Sequence, residues 1–226
     1  MKKDAVLYSS LVMAFSAGFV DTSTFTVADG LFSAHITGNL VVFAYKLSDH
    51  PELSDFVNLI SFPVFITAVI LTAKVNARYK NQKGIFASIG ILLIFSGIIA
   101  FGLKQQDIST GWVYRTMLMI IVFSMGIHNT ANRLYADTVF GPTTVMTGNI
   151  TRGIIDFFLY HSTQHNTKKL VDLQQTTILL TAFLTGCISG ALVSFNFGLV
   201  SMLIPGILLT AYYLFFHQHN IVNEIK

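Results

Sequence analysis

Long stretches of this 226-residue chain carry no charge. Residues 56–73 (FVNLISFPVFITAVILTA) and 84–103 (GIFASIGILLIFSGIIAFGL) hold no Asp, Glu, Lys or Arg, and residues 173–216 run 44 positions without one. A bilayer span needs about 20 such residues. The first two runs therefore predict one span each, and the last predicts two, joined by a tight turn near SFNFG, 194–198. The N-terminal MKKDAVLYSSLVMAFSAGF begins like a signal peptide, with lysines before an apolar stretch. The apolar pattern continues past it, which predicts a retained first span. Residues 5–47 and 112–160 are two further long stretches, each imperfectly apolar.

The pattern occurs twice. Gly18-Phe19-Val20-Asp21-Thr22 matches Gly126-Ile127-His128-Asn129-Thr130 at an offset of 108, and Thr37-Gly38-Asn39 matches Thr147-Gly148-Asn149 at an offset of 110. In both places two long apolar spans follow. Matching blocks in the same order, with the same continuation, describe a duplicated unit: repeat one over 5–103 and repeat two over 112–216, within a single membrane domain of 1–226. Residues 161–175 (HSTQHNTKKLVDLQQ) read as a polar linker and 217–226 as a tail.

Basic residues orient the units. With three spans per half and the N-terminus inside, Lys2, Lys3, Lys74, Arg78, Lys80, Lys83, Arg152, Lys168, Lys169 and Lys226 fall on the cytoplasmic side. Only Lys46, Lys104 and Arg115 fall outside, as the positive-inside bias favours. An odd number of crossings makes the halves antiparallel. The expected fold is an all-α polytopic bundle of two inverted three-span repeats, with both termini cytoplasmic.

Each Thr-Gly-Asn reads as the start of a short helix. Thr is a good N-cap, Gly permits a sharp turn, and Asn brings a donor and an acceptor. Leu40–Leu47 is too short to cross, so a helix capped at Thr37 would begin partway through the membrane. Irregular backbone is tolerated there only when buried in protein or lining a watery cavity. Two such starts would face each other near the midplane, the binding-site construction of many secondary transporters. Alternatively, each triplet turns the chain at the membrane surface, and 32–47 and 140–160 span fully.

Polar side chains inside the spans extend this reading. Asp21 follows sixteen uncharged positions, 5–20, and an intramembrane carboxylate is costly unless paired, hydrated or protonated. It serves either a proton or cation site or a polar helix end. Its counterpart Asn129 keeps the size and loses the charge. Arg133 is four residues from both Asn129 and Asp137. It pairs locally with Asp137, balances Asp21 across the repeat interface, or receives an anion. Arg152 and Asp156 repeat that spacing near a span end, where a local pair is expected. His35 and His128 flank the motif blocks as proton relays or hydrogen-bonding packing residues. His161 with His165, and His217 with His219, lack a third metal ligand. Gly186, Gly190 and Ser194 form one small face for close helix approach, within the fold or between protomers. Pro63 and Pro205 predict kinks.

Composition sharpens the class. The chain is 53% hydrophobic and 11% charged, with mean hydropathy +0.63, against about 25% charged in soluble domains. One Cys, Cys187, excludes an internal disulfide. The pI near 9.0 comes from basic residues scattered at span ends, so no nucleic-acid partner is expected. No Walker loop, Gly-x-Ser-x-Gly elbow, His-Glu-x-x-His or paired intramembrane carboxylates occur, so no enzyme, cofactor or metal is expected.

AGFVD, SAHITGN, HNTANR and TTVMTGN together resemble the YoaK family of bacterial multi-pass membrane proteins, of unknown function, over roughly residues 10–215. The resemblance implies a bacterial cell (inner) membrane and no established substrate. It also implies Gln-Asn where His128-Asn129 stands here. From the residues, the expected function is a small secondary transporter or permease for a small polar or anionic solute, proton-coupled through Asp21. Its site would hold Asp21, His35, Thr37, Gly38, Asn39, His128, Asn129, Arg133, Thr147, Gly148 and Asn149, with the bilayer, the solute and a second copy in a homodimer as partners. The alternative is a non-transporting scaffold, assembly factor or sensor.

Overall fold

The structure, a computed structural model, describes residues 3–48, 56–162 and 167–216. Those residues are almost entirely helical. α1 (Lys3–Val27) is followed by the short α2 (Ile36–Leu47), α3 (Phe56–Tyr79) and α4 (Gln82–Gln105). The second half repeats the order with α5 (Trp112–Leu134), the shorter α6 (Met146–Ser162), α7 (Thr167–Phe197) and α8 (Leu203–Ala211). Four helical segments are long and apolar enough to cross a membrane: Asp4–Val27, Phe56–Tyr79, Gln82–Gln105 and Thr167–Phe215. The last covers both expected spans, with the turn at Gly198, whose φ of +65° suits glycine.

Side-chain burial runs inside out relative to a soluble protein. On α3 the buried stripe is Asn58, Ser61, Ala68 and Thr72, while Ile60, Ile66, Ile70 and Val75 face outward. Small and polar residues meet other helices and large apolar ones meet the surroundings, as in lipid. α1 is buried almost all round and forms the centre. α5 is long enough to span yet more polar than the other spans, because its His128, Ser124, Thr130 and Asn132 are buried among neighbours.

Glycines set the two tightest crossings. A Cβ on Gly18 would lie 2.2 Å from the Phe183 carbonyl oxygen, and one on Gly186 would lie 2.1 Å from that of Phe15, so α1 and α7 touch backbone to backbone. The small face of Gly186, Gly190 and Ser194 is therefore used within the fold. Gly126, the counterpart of Gly18, meets Ala68 and Phe65 of α3. The first helix of each half thus packs on the third helix of the other. α4 crosses α8 where Gly90 meets Gly206. The last segment winds unevenly, 3₁₀ over Gly198–Met202 and π over Tyr212–Phe216, with Pro205 just after the 3₁₀ stretch. α3 continues unbroken through Pro63.

One expectation changes. Residues 167–175 of the expected linker are the first turns of α7, because Leu170, Leu173 and the residues after them extend its apolar pattern. The tail 217–226, with His217 and His219, lies outside the described residues, as does His165.

Candidate functional site

α1 and α5 run antiparallel. Tyr114 Oη donates to the Val27 carbonyl (2.9 Å) and His128 Nε2 to that of Met13 (3.2 Å), fourteen residues apart in both helices. Asp21 lies six residues before the end of α1, about 9 Å back along its axis at ~1.5 Å per residue. Asn129 lies five residues before the end of α5, about 8 Å back. After each helix the chain folds back to this level before the short helix begins. α2 is then about 18 Å long and α6 about 26 Å, both under the ~30 Å hydrocarbon thickness.

Asp21 anchors the first returning loop. Its Oδ1 accepts from the Ala34 amide (2.6 Å), the His35 amide (3.4 Å) and Ser33 Oγ (3.3 Å), and its Oδ2 from His35 Nδ1 (2.5 Å). These contacts offset the cost of a carboxylate that is only 4% exposed. In the second half Asn129 does the neutral equivalent: its Oδ1 accepts from Thr144 Oγ1 (2.5 Å), and Thr144 is the counterpart of Ala34. His35 lies between the two loops. Beyond Asp21, its imidazole stands close to the Thr144 backbone, and its ring packs edge-on to Phe183 at 6.2 Å.

The asparagine of each triplet clasps the loop seven residues back. Asn39 Oδ1 accepts from the Phe32 amide (2.8 Å), and its Nδ2 donates to the Phe32 carbonyl (2.7 Å) and to Ser61 Oγ of α3 (2.8 Å). Asn149 Nδ2 donates to the Pro142 carbonyl (2.7 Å). Proline has no amide to return the bond, and Arg152 Nη2 supplies the missing donor to Asn149 Oδ1 (3.2 Å).

The expected threonine caps are corrected. α2 starts at Ile36 with His35 at its N-cap, and α6 starts at Met146, so Thr37 and Thr147 sit inside the first turns and are exposed. A hydroxyl one residue inside the helix is past the capping position. Gly38 is covered by the Phe32 ring, whereas Gly148 is open.

Arg133 is also corrected. α5 ends at Leu134, which breaks the helical register between Arg133 and Asp137; among the described residues Arg133 pairs with neither Asp137 nor Asp21. It is exposed and, with Asn129, Asn132 and Thr144, lines a cleft of about 250 Å3. Arg152 does not pair with Asp156, whose carboxylate binds Lys169 Nζ across to α7 (2.7 Å). His128 is fully buried: its Nε2 donates to Met13, its Nδ1 accepts from Asn132, and Asn132 continues to Thr143. Those partners fix one neutral tautomer and make it a tie between α5 and α1. Thr147 and Gly148 open onto a second cleft, between α6 and α7.

Sequence reasoning missed Ser33, Thr144 and Ser61. The 110-residue offset, which sets Ala34 opposite Thr144, was the available signal for Thr144.

These features define a helical membrane protein with a broken segment in each half. A family model described as "Protein of unknown function (DUF1275)" matches residues 9–215, and the chain belongs to that family, in agreement with the YoaK-type resemblance. No curated protein and no solved structure matches.

Proposed function

We propose that the chain is a small permease of two inverted repeats, moving a polar or anionic solute past the crossing of its two loops in a proton-linked way. The observation that carries this reading is the Asp21–His35 pair, whose partly exposed imidazole on one broken segment stands beside the Thr144 backbone of the other. Neutral imidazole has one N–H; imidazolium has two, enough to bond Asp21 and the Thr144 carbonyl together. A tie through both groups would therefore depend on one proton, which is the coupling a gate requires. The pairing of each half's first helix with the other's third supports the inverted arrangement.

Flux into proteoliposomes from a panel of small polar solutes tests the proposal. Wild-type flux should vary with pH, and His35→Gln, which cannot gain a proton, should flatten that profile. Asp21→Asn, which copies the Asn129 arrangement, should uncouple flux from a proton gradient. Absence of solute-dependent flux across the panel would leave the second reading, a non-transporting scaffold or sensor. The saturation of Asp21 by four loop donors favours that second reading.

A further inference from the structure

The cleft between α6 and α7 carries charges that the loop crossing does not use. It encloses about 620 Å3 and is bordered by Thr147, Gly148, Arg152, Asp156, Lys169 and Asp172. Lys169 and the buried Asp156 neutralise each other at 2.7 Å. Arg152 and Asp172 remain. Among the described residues Arg152 makes one hydrogen bond, to the neutral Asn149 amide, and neither Arg152 nor Asp172 forms an ion pair. Asp172 stands three residues after Lys169, about one turn along α7. The cleft thus presents a guanidinium and a carboxylate that form no ion pair among the described residues, around the Lys169–Asp156 pair; Asp172 acts on the Lys169 ammonium only at a distance.

Gly148 adds an independent observation. A Cβ there would meet nothing within 4 Å, whereas one on its counterpart Gly38 would lie 2.9 Å from the Phe32 ring. Gly in a helix costs about 0.5–1 kcal/mol relative to Ala, and packing within this chain gives no reason for it at 148. What the glycine leaves is open space on the wall of the cleft that Arg152 also lines.

We propose that this cleft binds a zwitterion, with a phosphate or carboxylate on Arg152 and a primary ammonium on Asp172. A guanidinium matches two oxygens of such an acid group in a fork, and an ammonium brings three donors to the carboxylate. A simple anion would be repelled by Asp172, and a simple cation by Arg152. An aminophospholipid headgroup and a free amino acid or phosphoethanolamine share this chemistry. The inference needs occupancy of the cleft, not transport, and so stands apart from the permease reading.

The test is binding to the purified full chain. Native mass spectrometry in detergent compares phosphatidylethanolamine, phosphatidylcholine and phosphatidylglycerol, and calorimetric titration uses phosphoethanolamine and serine. A primary-amine zwitterion should bind over its methylated or anionic analogue by at least about tenfold, one charge-assisted contact's worth. Arg152→Gln should abolish binding. Because Arg152 also braces Asn149, Asp172→Asn, which removes no hydrogen bond or ion pair among the described residues, decides the matter. It should erase the preference while the melting temperature stays put. Selective lipid binding assigns the site to a headgroup, and selective binding of only the soluble compounds assigns it to a solute; both support the proposal. Equal binding of the three lipids with no soluble binder, or an unchanged preference in Asp172→Asn, overturns it.

Discussion

The two asparagine clasps look alike in sequence and differ in strength, which makes Asn39→Ala and Asn149→Ala a discriminating pair. Asn39 is fully buried and makes three hydrogen bonds, two to Phe32 and one to Ser61. A neutral hydrogen bond contributes about 1 kcal/mol net, and an orphaned buried partner adds about 1–3 kcal/mol. Ser61 keeps its own bond to the Asn58 carbonyl (2.6 Å), so the orphans are the half-buried Phe32 amide and carbonyl. The total is roughly 3 kcal/mol. Asn149→Ala loses the bond to the exposed Pro142 and releases the exposed Arg152 to other partners, for about 1 kcal/mol.

At about 2–4 °C per kcal/mol for a chain of this size, the melting temperature should fall by about 6–12 °C for Asn39→Ala and about 2–4 °C for Asn149→Ala. Aspartate widens the contrast. Asn39→Asp turns the donor facing the Phe32 carbonyl into an acceptor and buries a charge, so it should cost at least as much as alanine. Asn149→Asp loses the Pro142 bond but gains a charge-assisted contact from Arg152, and should stay within about 1 kcal/mol of the parent. Thermal unfolding in detergent, followed by a thiol-reactive fluorophore on the half-buried Cys187, measures all four. Equal shifts at 39 and 149, or the reverse order, would refute the claim that these side chains fasten the loops.

Three further outcomes follow from packing and charge. Gly186→Ala places a Cβ against the Phe15 carbonyl of α1 and should cost about 2 kcal/mol or more or prevent accumulation, while Gly102→Ala, with nothing within 4 Å, should be neutral or stabilising by up to about 1 kcal/mol in the same melting assay. His128→Leu removes the ties to Met13 and Asn132 and should destabilise by about 1–2 kcal/mol, with His128→Gln milder, again by melting temperature. Lys169→Met leaves the Asp156 carboxylate buried without its partner, and adding Asp156→Asn should recover most of the loss, as a double-mutant cycle will read.

Apolar runs located the long helices because a span must be continuously apolar, and the turn at Gly198 followed from a run twice the needed length. α5 is less apolar than a lipid-facing span, since a helix enclosed by others can carry His128 and Asn132; the repeat, not its hydropathy, marked it. The triplets marked where the short helices start, but the capping rule misjudged their working residue. Thr37 is exposed, and the bonds are made by Asn39, whose partner Phe32 lies outside the helix where no periodicity points. Partners across helices were equally illegible: Asp156 has Arg152 at ideal helical spacing, yet it bonds Lys169 on the next helix because burial drew the carboxylate inward. Asp21 stood out as a charge in an apolar run, but its use of the Ala34 and His35 amides depends on a fold-back that spacing alone does not encode.

Comparison of the halves separates scaffold from chemistry. Both use a glycine on the first helix to approach the third helix of the other half, a polar side chain at the same depth to hold the returning loop, and an asparagine to clasp it. A device present in both halves answers a requirement of the backbone: buried loops need partners for their amides and carbonyls wherever water is excluded. The ionisable groups do not obey this symmetry. Asp21 and His35 face Asn129 and Val145, and the clasp brace Arg152 corresponds to Val42. Asn129 holds its returning loop without a charge, so the charge of Asp21 is not required for that task alone. An intramembrane charge is costly to keep, so under the permease proposal the asymmetric set, a carboxylate–imidazole pair on one loop and a guanidinium beside the other, is where a solute or a proton would act.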